Sequence, residues 1–144
     1  MVRKAEREEI PVVAKLALLL WPDHEAGALE AEFLELISRE DTAVFLAYQG
    51  ETAVGFAQCQ LRQDYVEGTE SSPVGYLEGI FVKEEARRCG YARLLLSACE
   101  VWAKTMGCRE FASDCELENA DSLRFHLKVG FKEANRIICF TKKL

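Results

Sequence analysis

Apolar residues change their period several times along this 144-residue chain, and each change marks an element. Val2 to Arg7 reads as a short first strand. Glu8 to Leu20 has the apolar spacing of a helix, with Pro11 in the first turn, where a missing N–H is tolerated. Trp21-Pro22-Asp23-His24 breaks that helix, and Glu25 to Arg39 follows as a second, with Leu29, Phe33, Leu36 and Ile37 on one face. Thr42 to Tyr48 and Thr52 to Leu61, joined through Gln49-Gly50-Glu51, have the pattern of a hairpin. Asp64 to Pro73 is polar, contains Gly68 and reads as a loop, and Val74 to Val82 is the next strand.

In the second half, Cys89 to Met106 is an amphipathic helix carrying Leu94, Leu95, Ala98, Val101 and Trp102. Gly107 suits the left-handed cap that ends it. Arg109 to Ser113 is a short strand, Asn119 to Val129 a helix ended by Gly130, and Phe131 onward supplies one or two final strands. A hairpin implies antiparallel pairing, and alternating strands and helices imply parallel pairing. The expected architecture is therefore an α/β (α+β) fold, a mixed central sheet flanked by helices, with residues 1–144 forming one domain.

Composition narrows the function classes. A net charge of −6 argues against nucleic acid as the main partner and is compatible with a cationic substrate, although a mild negative charge also simply aids solubility. Lys15 interrupts the longest early apolar run, Val12 to Trp21, and Pro22 follows it, so no membrane span is expected. No secretory signal is visible at the N-terminus. The six cysteines are scattered without a CxxC pair or a Cys/His cluster, which points to a reduced cytoplasmic protein without a metal site.

The stretch from Leu77 to Ala92 carries the clearest chemistry. A strand runs into a basic, glycine-containing turn with a long helix directly behind it, and free N–H groups at a helix start can hold a phosphate. Gly90 permits a tight turn and close approach, Ala92 keeps the opening turn small, and Arg87, Arg88 and Arg93 bring positive charge. A plain strand–turn–helix with solvated arginines would carry the same pattern. Arg87-x-x-Gly90-x-Ala92 resembles the pyrophosphate loop of the GNAT acetyltransferase superfamily, and Asn119 about a dozen residues before Gly130-Phe131 resembles its second signature. The resemblance implies the acetyltransferase fold and acetyl-CoA as cosubstrate. It implies cofactor contacts by the backbone of Ile80, Phe81 and Val82, by the loop residues Arg87, Arg88, Cys89, Gly90, Tyr91, Ala92 and Arg93, and by Asn119. Asn119 could equally be a helix cap. Many members carry a Tyr four residues before the second glycine, placed to protonate the departing thiolate. Here that residue is His126, a candidate for the proton role or for packing.

An amine must be neutral to attack a thioester, so a carboxylate that binds the cation and takes its proton is the expected partner. Glu78 lies on the strand that ends at Val82, and Asp114 closes the neighbouring strand. Parallel pairing would bring both to one cleft. An outward-facing strand glutamate and a helix-capping aspartate are the plain alternatives. Four segments resemble the aminoglycoside 6′-N-acetyltransferases: Leu20 to His24, Asp64 to Gly68, Ser71 to Pro73 with Leu77 to Val82, and Gly107 to Glu110 with Ala112 to Asp114. That resemblance implies an enzyme acetylating the 6′-amine of an aminoglycoside by direct attack. Its substrate contacts would be Trp21, His24, Tyr65, Glu78 and Asp114. Asn135 stands where the subfamily can offer another acid. Rival functions are acetylation of a different small amine or peptide N-terminus, and non-catalytic binding of acyl-CoA. Homodimers are common in the subfamily, and Ile137 to Phe140 is a candidate interface strand.

Overall fold

Alternating apolar runs build a five-stranded sheet in the computed structural model, which describes residues 1–144. The strands are β1 (Val2–Lys4), β2 (Thr42–Gln49), β3 (Thr52–Arg62), β4 (Val74–Val82) and β5 (Phe111–Ala112), adjacent in that order. β1 to β4 pair antiparallel and β5 joins β4 in parallel. Four helices flank the sheet: α1 (Ile10–Leu20), α2 (Ala26–Ile37), α3 (Tyr91–Thr105) and α4 (Ala120–Lys128). The expected mixed sheet with flanking helices is therefore what the chain forms.

Both faces of the sheet are covered, which is why β2 and β3 are apolar almost throughout. On one face, Val13, Leu16, Leu29 and Phe33 of α1 and α2 pack against Val44, Leu46 and Phe56. On the other, Leu95, Leu96 and Cys99 of α3 pack against Phe45, Ala57, Cys59 and Leu77. The buried stripe of α3 is rotated from the expected one, since Leu94 and Val101 are exposed and Leu96, Cys99 and Ala103 lie inside. No helix is long and apolar enough to cross a membrane.

Two irregularities shape the site. Between Cys59–Leu77 and Gln58–Gly79, β3 advances one residue while β4 advances two, so Glu78 has no partner across the pair. Such a bulge re-aims the extra side chain. β5 meets β4 only at Gly75–Phe111 and Tyr76–Ala112, leaving the β4 edge from Leu77 onward without a neighbouring strand. Gly75 permits this close approach, because a Cβ there would lie 2.5 Å from Phe111 and 2.7 Å from Ala103.

The strands expected from Phe131 onward do not form. Phe131 is tied back by its N–H to the His126 carbonyl at 3.0 Å, and its ring packs 6.3 Å from that of Phe111. Beyond it, a strand would need a continuous edge to pair with, and β5 is only two residues long. Ile137, Ile138 and Phe140 are left 66%, 79% and 88% exposed.

Candidate active site

The turn between β4 and α3 is built to leave backbone donors free. A short 3-10 turn at Glu84–Ala86 is followed by extended Arg87, then by left-handed Arg88 (φ 62°) and Gly90 (φ 84°), and α3 starts at Tyr91. The N–H groups of Arg88, Cys89, Gly90, Tyr91, Ala92 and Arg93 make no hydrogen bond within the chain; the first helical donor is Leu94, to the Gly90 carbonyl at 3.0 Å. Together with the helix dipole, such a row attracts an anion. Nothing lies within 4 Å of where a Cβ on Gly90 would sit, so the space above the turn is open. This geometry fits a diphosphate such as that of acetyl-CoA.

The arginines of the turn divide their work. Arg87 Nε donates to the Val82 carbonyl at 2.9 Å, and its guanidinium lies 5.8 Å from the Phe81 ring centre, which pins the turn to the end of β4. Arg93 Nη2 reaches the Lys128 carbonyl at 3.5 Å. Arg88 is exposed and has no side-chain hydrogen bond within the chain. Ile80 and Phe81 lie on the open edge of β4, and Asn119 caps α4 by accepting from the Ser122 N–H at 3.0 Å.

His126 of α4 is half-buried between Ser113, Ser122 and the Phe131 ring, whose centre lies 5.1 Å from its own. Its Nδ1 is 2.7 Å from the Ser122 carbonyl, which can only accept, so this nitrogen carries the proton. In the neutral ring Nε2 is then an acceptor, and the Ser113 hydroxyl donates to it at 2.7 Å. Ser113 directly follows β5, so the pair sits at the end of the strand that meets β4 only at Gly75 and Tyr76.

A second cluster lies around Glu78. Arg62, the last residue of β3, donates from Nε and Nη2 to Glu78 Oε1 at 3.2 and 2.9 Å, leaving Oε2 without a partner in the chain. The guanidinium carbon lies 3.4 Å from the centre of the Tyr76 ring, and the Tyr76 hydroxyl donates to Asp114 Oδ2. Burial and the Asp114 carboxylate push the Tyr76 phenol well above its usual range, so it stays a donor. Glu78 and Asp114 are thus joined through Arg62 and Tyr76.

The other predicted acceptor contacts are tied to neighbours of this cluster one by one. Trp21 caps α1, packs edge-on against Phe56 with ring centres 6.0 Å apart, and lies over Gly79, whose missing Cβ makes the room. His24 is exposed, its ring 6.1 Å from Trp21. Tyr65 is 75% exposed on a loop held down by buried Val66. Asn135 donates to Glu67 on that loop at 3.0 Å, so the C-terminal segment reaches the same rim. Arg62, Tyr76 and Ser113 were not singled out in the sequence. The period of two that puts Tyr76 on the face of Glu78 was a usable signal; the reach of Arg62 depends on the bulge and was not.

The acetyltransferase (GNAT) family model matches residues 13–131. An aminoglycoside N(6′)-acetyltransferase type 1 of Stenotrophomonas maltophilia is 43% identical over 145 residues, covering 99% of this chain and 93% of the relative. Its counterpart in Salmonella typhimurium is 39% identical, covering 99% and 98%. Among solved structures, AAC(6′)-Iy in complex with the bisubstrate analogue CoA-S-monomethyl-acetylneamine superposes with a TM-score of 0.96 at 38% identity, covering 100% of this chain and 98% of that one.

Proposed function

The chain belongs to the acetyltransferase (GNAT) family, and from that premise we infer that it transfers acetyl from acetyl-CoA to the 6′-amine of aminoglycoside antibiotics. Acetylation turns an ammonium group of the drug into a neutral amide and so confers resistance. The observation that carries this assignment to an acceptor class is the cluster of Glu78, Asp114 and Tyr76 beside the open edge of β4, with Trp21 packed on Gly79 next to Glu78 and exposed Tyr65 next to Val66, which packs with Tyr76. Carboxylates hold ammonium groups, and aromatic faces take sugar rings and cations.

Acetyl-CoA supplies an activated thioester whose carbonyl carbon accepts the amine. The unpaired N–H groups of residues 88–93 hold its diphosphate, with Arg88 nearby, and the open edge at Ile80 to Val82 orients the pantetheine and steadies charge developing on the carbonyl oxygen. Glu78 offers Oε2 to the attacking amine, directly or through a water, and takes its proton as the C–N bond forms. Asp114 anchors another ammonium of the polycation. As the C–S bond breaks, the thiolate is left near Ser113 and His126; an imidazolium protonated on both nitrogens gives its Nε2 proton to the Ser113 oxygen while the Ser113 hydroxyl proton passes to sulfur, leaving the neutral ring. Asn119 supports the cofactor side as the cap of α4.

An assay over paired 6′-amino and 6′-hydroxy aminoglycosides, with product regiochemistry, tests the assignment. Acetylation confined to the 6′-amine is the expected result; equal turnover of the 6′-hydroxy compounds, or acetylation at another ring position, would overturn it.

The whole chain acts as one domain in this proposal, working in the reducing cytoplasm, consistent with six free cysteines. It also forms a homodimer. Ile137, Ile138 and Phe140 sit on unpaired backbone, and a second copy would cover them. Sedimentation of the full chain as a dimer, and of a chain ended at Arg136 as a monomer, is expected; a monomeric full chain refutes it.

A further inference from the structure

Arg62 occupies the place where a substrate cation would be most welcome. Its guanidinium is paired with Glu78 at 2.9 Å and stacked 3.4 Å from the Tyr76 ring centre, while Tyr76 is bonded to Asp114. One cation therefore touches, directly or through one side chain, both acids assigned to the acceptor. With Arg62 in place, the cluster of Arg62, Glu78, Asp114 and neutral Tyr76 has a formal charge of −1; without it the charge is −2. The guanidinium donates to no acceptor other than Glu78. Its side chain is 38% exposed, and polar Gln63 and Asp64 follow it in the chain, so it has a route into solvent.

Resting on the assignment of this cluster to the acceptor, we propose that Arg62 is a built-in stand-in for an acceptor ammonium. It fills the cation subsite between the Glu78 carboxylate and the Tyr76 face in the empty enzyme and is displaced when a polycation binds. The subsite has the two components an ammonium requires, a carboxylate and an aromatic face, already arranged around a positive group. Keeping it filled spares Glu78, whose side chain is only 23% exposed, from standing unpaired. The consequence for specificity is direct. A ligand must offer enough positive charge to replace a guanidinium that is both paired and stacked, which favours polyamines such as aminoglycosides over weakly charged amines. Arg62 is thus a specificity-determining residue rather than a catalytic one.

Calorimetric titration of neamine, a two-ring 6′-amino aminoglycoside, in the presence of CoA tests this without turnover. Arg62→Gln, with Tm measured to show that it is folded, is expected to bind neamine about five- to tenfold more tightly than the unaltered chain, the size expected when a like charge leaves a partly exposed site. Arg62→Lys should stay near the unaltered affinity. Loss of a merely structural arginine would leave binding unchanged or weaken it, and either result in Arg62→Gln overturns the stand-in role. The side-chain Nε–H resonance of Arg62 gives a second reading: it should move as neamine or spermidine is added. A chain that acetylates neamine while Arg62→Gln binds it no more tightly defeats the stand-in alone. A chain that acetylates no 6′-amine defeats the assignment of the acceptor, and an Arg62 resonance unmoved by either polyamine defeats the stand-in in both cases.

Discussion

Between Arg88 and Arg93 six successive N–H groups have no acceptor in the chain, whereas between Arg62 and Asp114 the charged side chains have already found partners. The proposed cofactor side is made of backbone, a row of free N–H groups suited to the diphosphate of acetyl-CoA. The proposed acceptor side is made of side chains from β3, β4 and the segment after β5, and in the structure these side chains satisfy one another. A backbone cradle tolerates many sequences provided its turn can form. A side-chain network defines its ligand residue by residue, and so it is where acceptor specificity resides.

The sharpest break between the two sides should come from Glu78→Gln. The amide keeps the shape and a hydrogen bond to Arg62 but loses the charge and the proton acceptor at Oε2. Steady-state kinetics should show kcat/KM for a 6′-amino aminoglycoside falling by about 10²–10³, in the lower part of the range of general base catalysis. Acetyl-CoA affinity should be unchanged. A fall in cofactor affinity of similar size would mean that the two sides are not separable.

The reciprocal substitution is Gly90→Val. At φ 84° a β-branched residue is strained by about 1–2 kcal/mol, and its side chain would enter the open space above the turn. The KM for acetyl-CoA should rise about tenfold on that account, with the affinity for the aminoglycoside held. A variant whose acetyl-CoA KM does not move would place the diphosphate elsewhere.

The same contrast explains what could be read from the chain beforehand. The hairpin from Thr42 to Leu61, the strand Val74–Val82 and the turn at Gly90 depend on local patterns, and all lie where expected. Glu78 was legible as an acid on the strand β4, whereas Asp114, expected to close the next strand, lies two residues beyond the end of β5. That Arg62 reaches Glu78 was not legible, because Glu78 stands at a one-residue bulge in the β3–β4 register, while the reach of Tyr76 to Asp114 depends on how β5 meets β4. The stripe of α3 is displaced because Leu94 and Val101 are as apolar as Leu96 and Cys99, so composition leaves two overlapping faces and only packing on the sheet selects the one with Leu95, Leu96, Cys99 and Ala103. Residues from Phe131 onward have strand-like composition, yet pairing requires an edge, and no run of apolar residues reveals whether one exists.

The smallest expected effect concerns the loop that carries Tyr65. The Glu110 carboxylate accepts from the Ser71 hydroxyl at 2.5 Å and from the Glu70 N–H at 2.9 Å, tying the loop to the residue just before β5. These bonds, the Ser71 hydroxyl foremost, hold the Glu110 carboxyl below its usual range, because they favour the charged form. A depressed folded pKa means that the tether contributes fully above the unfolded value of 4.5 and is lost as pH falls through the lower folded value. Amide exchange at Glu70 should therefore be slow near neutrality and accelerate, relative to neighbouring amides, on acidification below about pH 4.5. In Glu110→Gln that acid-dependent component should vanish, since no carboxylate remains to protonate. Val66 keeps the loop anchored in its buried group with Val74 and Tyr76, so the KM for aminoglycoside should rise by less than about threefold, as for loss of one exposed hydrogen-bond network. A rise as large as that from removing a carboxylate of the Glu78 cluster would mean that the rim, not the network beneath it, carries the recognition.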